Sequence, residues 1–589
     1  MKPLLVAINA KYIHTNLAVR YLSLRAGEEG FPCEFAEYTI NQPFDEILSG
    51  IYFHRPKIVT FSCYLWNIEL VKQLTTELAK LLPGVRIWLG GPEVSYHSNE
   101  ILESLPACEL IMRGEGENTF PALLRAVQEK SAFSEIPGVT WRDGKGEIRE
   151  NMPAVPFDLS RLPFAYEDLN ELEHKIVYFE SSRGCPYSCT YCLSSVERGV
   201  RFVPAEQACD YLQRFLDAGV RQVKFVDRTF NCNREHADTI LCYLLEHDNG
   251  KTNFHFEISA DILADSTIAL VNQARKGLFQ FEIGVQSTNP KTIKAIRRAC
   301  DNEKLFEKVK RLRASHNAHV HLDLIAGLPF EDYESFGRSY DEVFAKHPDM
   351  LQLGFLKVLK GSSMEAESRQ YGIVNQDRAP YEVLYTDFIS YAHLRKLKRI
   401  DVLNDMYLNS GRFQASLQVV LEKYASPFRF FEELSEYYET EGLFARNVGK
   451  YEAYTALYEF YRQRFGDSVA LKWCMRHDIF ARENAKTLPE LLNGSSLHPQ
   501  YKERFDAFYE EEKYIRAYLP EYLGEHPKRI QRLTHLEAYP FDVRTGKKRP
   551  VVLLYAYAGK DIAGNAVVLE VTRHFEPVLP EHTAEKTGK

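Results

Sequence analysis

The stretch Ser181-Ser182-Arg183-Gly184-Cys185-Pro186-Tyr187-Ser188-Cys189-Thr190-Tyr191-Cys192 constrains this chain more than any other. Its cysteines are spaced Cys-x3-Cys-x2-Cys and follow the apolar run Ile176-Val177-Tyr178-Phe179. An apolar run emptying into Ser, Gly and Pro reads as a buried strand followed by a loop. Three thiolates on one short loop can face a common centre, and soft sulfur donors suit zinc or an iron–sulfur cluster. A closed structural zinc site takes four ligands, and the next cysteine along the chain is Cys209. A four-iron four-sulfur cluster held by three cysteines keeps one iron open for a further ligand. Cys185, Cys189 and Cys192 are therefore the expected metal ligands.

The same spacing, with the aromatic Tyr191 before the last cysteine, resembles the signature of the radical S-adenosylmethionine (SAM) superfamily. The resemblance implies a 4Fe-4S cluster whose open iron takes the amino and carboxylate groups of SAM.

Composition sets the frame around that loop. The length of 589 residues suggests about two to four domains. No stretch reaches the ~18 apolar residues of a membrane span, and the N-terminus turns polar by Asn9, too soon for a signal peptide. Eleven cysteines, an odd number without an export signal, point to reduced thiols and a cytoplasmic site. The net charge of −8 gives no global attraction to nucleic acid or an anionic membrane.

Residues 1 to about 130 alternate apolar strands with amphipathic helices. Strands are expected at Leu4–Ile8, Cys33–Tyr38, Ile58–Ser62, Arg86–Leu89 and Leu110–Met112, with helices between them. Five such units predict a doubly wound, Rossmann-like parallel sheet that binds ligand beyond its C-terminal strand ends. The loops at that edge are Asn9 to Asn16, with Lys11, Tyr12 and His14; Ser62 to Asn67; Gly90-Gly91-Pro92-Glu93; and Gly114-Glu115-Gly116-Glu117. A sheet with Gly-Gly-Pro-Glu after the fourth strand and Gly-Glu-Gly-Glu after the fifth, ahead of a cysteine loop, resembles the cobalamin-binding domain of cobalamin-dependent radical SAM enzymes. Lys11, Tyr12, His14, Ser62, Gly90, Gly91, Glu93 and Glu115 are the contacts this likeness implies. One departure matters: the chain lacks the Asp-x-His-x-x-Gly motif that supplies a histidine to cobalt, and Tyr12 stands two residues before His14. His14 therefore reads as a loop contact.

Residues 131–170 read as a linker, with a small hairpin at Gly138–Gly146 and prolines at 153, 156 and 163. From 171 to about 365 strands are expected at Lys175–Glu180, Gln222–Val226, Asn253–Ile258, Leu278–Val285, His319–Ala326 and Leu351–Lys357. Six parallel units predict an incomplete β/α barrel with its chemistry at the C-terminal strand ends. The family likeness assigns Asp227 to the SAM amino group, Gln286 to the ribose, and the backbone at Leu328 to adenine. Glu257, which points into an apolar strand where an acid without a partner is rare, and Tyr191 complete the expected cofactor contacts of this domain.

Residues 366–589 read as a mainly helical domain, with a terminal β-hairpin formed by Pro550–Tyr557 and Ala566–Thr572, and a frayed tail from Pro580. The region resembles the uncharacterised C-terminal domain of one subgroup of cobalamin radical SAM proteins. That likeness implies a cover over the barrel mouth that helps select substrate.

The whole pattern resembles a cobalamin-dependent radical SAM enzyme with 4Fe-4S, SAM and cobalamin as cofactors, expected to methylate an unactivated carbon. Radical rearrangement, cyclisation or reduction without methyl transfer, and modification of an RNA base, stay open as alternatives. The expected partners are a small-molecule substrate and an electron donor such as flavodoxin or ferredoxin.

Overall fold

The structure, a computed structural model, describes residues 3–196, 199–493, 497–560 and 564–575. The expected frayed tail lies outside the described residues. The chain divides into two compact units, Met1–Ser339 with Leu353–Leu394, and Tyr340–Gln352 with Arg395–Lys589.

The first unit opens with β1 (Pro3–Asn9), α1 (Leu17–Glu28), β2 (Glu34–Thr39), α2 (Phe44–Phe53), β3 (Ile58–Ser62), α3 (Ile68–Leu81), β4 (Arg86–Gly90), α4 (Pro92–Ser95), α5 (Ser98–Ser104), β5 (Leu110–Met112) and α6 (Gly116–Glu129). The sheet order is β2-β1-β3-β4-β5, all parallel. Both of its faces are covered, which explains why the strands read as continuous apolar runs. Leu4, Val6 and Ile8 of β1 join Val59, Phe61, Val71 and Leu74 on one face, while Leu5 and Ala7 join Val19, Phe120 and Leu123 on the other.

The hairpin expected inside a linker instead extends this sheet. Strands β6 (Val139–Arg142) and β7 (Ile148–Glu150) add antiparallel to the β5 edge. Fully buried Val139 and Thr140 bring apolar cover and backbone partners to an edge that would otherwise be unpaired.

A second sheet follows in the order β15-β14-β13-β12-β11-β8, with β8 (Val177–Phe179), β11 (Gln222–Phe225), β12 (Asn253–Ile258), β13 (Phe279–Gln286), β14 (His319–Ala326) and β15 (Met350–Phe355). It has the expected six strands, and β8 and β15 are not neighbours, so the barrel is open on that side. Helices α7 (Ala205–Asp217), α8 (Arg234–Glu246), α9 (Asp265–Val271), α10 (Pro290–Ala295), α11 (Asn302–Arg313) and α12 (Tyr333–Phe344) accompany it. An antiparallel pair was not foreseen: β9 (Ser182–Cys185) pairs with β10 (Gly199–Phe202), placing Cys185 opposite Gly199. The cysteine loop is thus the tip of a hairpin.

The second unit is mainly helical and carries a three-stranded antiparallel sheet, β18 (Thr534–Tyr539), β19 (Val551–Ala556) and β20 (Val567–Glu570), numbered after the short β16 (Val374–Asn375) and β17 (Val383–Tyr385) of the first unit. The last two strands are the expected pair; β18 is an addition. Its buried carboxylate Glu537 is held by Arg476 Nε at 3.0 Å and His535 Nε2 at 2.9 Å, which explains how a polar stretch became a core strand. Among the described residues no helix is long and apolar enough to cross a membrane.

Candidate functional site

The edge loops of the first sheet meet the barrel. Asn9, the last residue of β1, donates from Nδ2 to the His14 carbonyl at 3.1 Å, and Asn16 caps α1 by accepting from Val19 N. These bonds shape the loop between. Ile176 N donates to the Ile13 carbonyl at 2.7 Å, so the loop runs alongside the start of β8. His14 Nδ1 lies 2.7 Å from the Tyr178 hydroxyl. Burial lowers the His14 pKa, and the charges of Lys11 and Lys224 lower it further. Lys11 and Tyr12 stand exposed on the same loop, Tyr12 by 70%.

Between the C-terminal ends of β1, β3, β4 and β5 lies a cavity of about 100 Å³, walled by Ser62, Gly90, Gly91, Gly114, Gly116 and Glu117 among others. Gly91 has φ +110°, and a Cβ there would come within 2.5 Å of the Cys63 carbonyl. The wall accepts no side chain at that point. Thr60 Oγ1, also in the wall, is buried without a hydrogen-bond partner. A pocket of glycines and apolar side chains, Leu5, Val19, Leu22, Phe61 and Met112, with one unsatisfied hydroxyl, fits a largely apolar part of a ligand such as cobalamin.

Glu93, expected among the ligand contacts, accepts instead from the Tyr381 hydroxyl, with Lys360 Nζ 3.9 Å away. Its carboxylate ties the sheet edge to the segment after β15. Burial nevertheless keeps its pKa raised.

Glu115 and Glu117 tie the same edge to the cysteine hairpin. Arg183, two residues before Cys185, donates from Nη2 to Glu117 at 2.7 Å and to Glu180 at 2.8 Å, and pairs with Glu115 at 3.2 Å. Glu115 also accepts from Arg201 on β10 and from Phe157 N. Burial acts to raise the Glu115 carboxyl; the Arg201 hydrogen bonds and the Arg183 charge overcome it and leave it below the usual range. The pairing of Arg183 with Glu117 and of Arg201 with Glu115 was not visible in the sequence, because 66 and 86 residues separate the partners.

At the hairpin tip, Ser195 Oγ donates to the Cys189 and Cys192 carbonyls at 2.8 and 2.6 Å, and Thr190 N donates to the Ile296 carbonyl at 3.0 Å. Cys185 Sγ lies 3.5 Å from Thr229 Oγ1. Burial raises the Cys189 thiol, against which the neighbouring Arg298 guanidinium works. Tyr191 is half-buried beside that guanidinium. Among the described residues no three His, Cys, Asp or Glu converge as one metal ion requires; a four-iron cluster holds its thiolates farther apart. Three soft donors on one bonded loop, with a cation beside them, fit such a cluster.

The strand ends complete the site. Asp227 is fully buried, and its carboxylate accepts from Ser181 N at 2.8 Å and from the Ser181 and Ser182 hydroxyls at 2.6 Å each. This carboxylate, expected at the SAM amino group, holds the corner that leads into β9. Leu328 is buried, its backbone on the loop after β14. Gln286 sits at φ +71° with Oε1 buried and unpartnered.

Alternate residues of β11 to β14 face inward and touch solvent while their neighbours are fully buried. Glu282, Gly284 and Gln286 on β13 follow this pattern, as do Asp323 and Ile325 on β14 and Glu257 on β12. The barrel therefore has an open, polar lumen. Lys224 of β11 reaches across β12 to Glu282 at 3.1 Å, with His255 Nε2 3.2 Å from the same carboxylate. Tyr178, the register partner of Lys224, carries the wall round to His14. Polar residues at every second position of otherwise apolar strands were the available signal, and only Glu257 was read from it.

Comparison with known proteins agrees with this geometry. A model of the B12 binding domain matches residues 3–124, one of the radical SAM superfamily matches residues 179–343, and one of a protein family of unknown function, DUF4080, matches residues 369–555. The 2-(S-pantetheinyl)-carbapenam-3-carboxylate methyltransferase of Streptantibioticus cattleyicolor is 26% identical over 364 residues, covering 54% of this chain and 50% of the relative. The cobalamin-dependent radical SAM methyltransferase TokK of Streptomyces tokunonensis is 24% identical over 353 residues, covering 56% and 51%. The chain spans about half the length of the curated relatives it matches. In fold, it is similar to the cobalamin-dependent SAM radical enzyme OxsB solved with aqua-cobalamin and SAM, with TM-score 0.56, 16% identity, and coverage of 84% of this chain and 83% of that one. The radical SAM methyltransferase TsrM of Kitasatospora setae aligns with TM-score 0.55 and 16% identity over 64% and 79%. The chain thus carries, in order, a match to the B12 binding domain, a match to the radical SAM superfamily and a match to DUF4080.

Proposed function

We propose that this protein is a cobalamin-dependent radical SAM enzyme that methylates an unactivated carbon of a small molecule. One observation carries the reading: the edge that walls the sheet cavity and the cysteine hairpin are bound to each other through Arg183, Arg201, Glu115 and Glu117, which would set the two cofactors on one lumen. Reacting groups must be held within contact distance, and a shared lumen is the means of doing so. Cys185, Cys189 and Cys192 would hold the 4Fe-4S cluster; Tyr191, Gln286 and the Leu328 backbone would hold SAM; Ser62, Gly90, Gly91 and Thr60 would cradle cobalamin. Bound there, these groups supply one-electron cleavage of SAM and a carrier for the methyl group. The protein's part is to orient and to exclude water. Arg183 and its carboxylates keep the cysteine hairpin against the sheet edge, Asp227 pins the turn into β9, and the loop carrying His14 closes the open side of the barrel near β8.

The reading extends to a reduced cytoplasmic setting and a small electron donor such as flavodoxin or ferredoxin. The relatives' printed activities, several of them methyltransferases, support the reaction class. The test is anaerobic reconstitution with cobalamin, then mass spectrometry of SAM products with cell extract. A methylated product with both S-adenosylhomocysteine and 5′-deoxyadenosine is expected, and Cys185→Ala with Cys189→Ala and Cys192→Ala should abolish all three. Formation of 5′-deoxyadenosine without methyl transfer would replace methylation by another radical step.

A further inference from the structure

Two carboxylates on the inward-facing side of the barrel strands make no hydrogen bond among the described residues. Glu257, Glu282 and Asp323 enter the lumen from three adjacent strands, with Glu257 opposite Glu282 and Asp323 opposite Gly284 in the register. Glu282 accepts from Lys224 Nζ at 3.1 Å, with His255 Nε2 3.2 Å away. The other two have no such donor. Asp323 Oδ1 is buried with no partner, and Glu257 makes no hydrogen bond among the described residues. The Gln286 amide folds back over Gly284, beside Asp323, with its own Oε1 buried and unpartnered.

The nearby cations do not resolve this. Lys224 is committed to Glu282. Arg298 donates to the Gly284 carbonyl and flanks Cys189. Arg228 is exposed at the strand end, close enough to Glu257 to act only through its charge. His255 and His321 are both held toward the neutral form by burial. Burial also pushes the Glu257 and Asp323 carboxyls up, Asp323 the more so because Glu282 and Glu257 are beside it.

Buried acceptors without donors are costly, and an unbalanced buried carboxylate more so. A ligand that brings one positive charge and several N–H donors removes both costs, and an ammonium brings three donors. Along β13, Gln286 pairs with Leu324 at the strand end, Asp323 stands beside Gly284 one inward-facing position before it, and Glu257 beside Glu282 one position further back. We propose that the substrate is a small molecule bearing a protonated amine, held inside the lumen by Asp323 and Glu257. The proposal rests on the reading above, in which the lumen is where the reaction occurs.

The full-length protein, loaded with SAM, the oxidised cluster and hydroxocobalamin, is titrated at pH 7 with n-butylammonium, n-butanol and butyrate, with binding read by saturation-transfer NMR. Butylammonium should bind at least about tenfold more tightly than the other two, as expected for a charge-assisted hydrogen bond. Asp323→Asn and Glu257→Gln should each remove most of that preference and leave SAM affinity unchanged; either variant suffices if the other does not fold. Butanol binding as tightly as butylammonium would overturn the proposal. So would a parallel loss of SAM affinity in the variants, which would assign the carboxyls to SAM. The enzymatic reading stands or falls separately, on 5′-deoxyadenosine formation by the same protein.

Discussion

Arg183 Nη2 donates to Glu117 Oε1 at 2.7 Å, joining the strand that ends in Cys185 to the helix start that walls the sheet-edge cavity. The guanidinium is buried among Glu115, Glu117 and Glu180, so it balances carboxylates that would otherwise repel one another. Removing one partner of a buried ion network leaves the others uncompensated. Arg183→Ala should destabilise the protein by about 3–5 kcal/mol. The double variant Arg183→Ala with Glu117→Gln should recover part of that loss, measured by thermal or denaturant unfolding as a double-mutant cycle. Additive losses would show that the two side chains are not coupled.

Gly91 and Gly84 both have positive φ but differ in surroundings. A methyl group at Gly91 would strike the Cys63 carbonyl, whereas at Gly84 it meets nothing within 4 Å. Gly91→Ala should therefore lose cobalamin retention, followed by its absorbance after gel filtration. Gly84→Ala should keep it at a cost of about 1 kcal/mol in stability. Equal retention in the two variants would mean that the close approach at Gly91 does not shape the binding wall.

His14 Nδ1 is bonded to Tyr178, which turns the ring toward the barrel. The cobalt(II) form should show no nitrogen superhyperfine splitting from imidazole in its electron paramagnetic resonance spectrum, and His14→Ala should leave the spectrum unchanged. Splitting in the wild type that disappears in His14→Ala would make this histidine a cobalt ligand.

In the second unit Asp478 is buried and accepts from Ala415 N at 3.0 Å, Ser416 N at 2.8 Å and Ser416 Oγ at 2.6 Å. Burial outweighs these bonds and raises its pKa to about 7. The folded state then keeps a proton that the unfolded chain releases near pH 4. Below that pH both states are protonated and the group costs nothing. As pH rises toward 7 the cost grows to about 4 kcal/mol. The stability of the wild type relative to Asp478→Asn should fall over that window, as measured by melting curves from pH 4 to 7.5. A flat or rising difference would mean that the carboxyl is ionised at low pH.

The parallel strands were legible in the sequence because each is covered on both faces, so β3 and β5 coincide with the apolar runs Ile58–Ser62 and Leu110–Met112. The β9–β10 hairpin was not, since Ser-Arg-Gly-Cys carries polar and glycine signals that read as a loop. The three cysteines stand out by spacing alone. The role of Asp227 does not, because a buried acid at a strand end looks the same whether it meets a ligand or two serines. Nor do Arg183 and Glu117, 66 residues apart, carry any local mark of pairing.

The central claim is that the B12 binding edge and the cysteine hairpin border one lumen. Pulsed electron paramagnetic resonance of protein holding both cobalt(II) and the reduced cluster tests it most directly. The account predicts a cobalt signal that is dipolar-broadened and relaxes faster than in protein loaded with cobalamin alone. A spectrum equal to the sum of the two separately loaded forms, with unchanged relaxation, would contradict it.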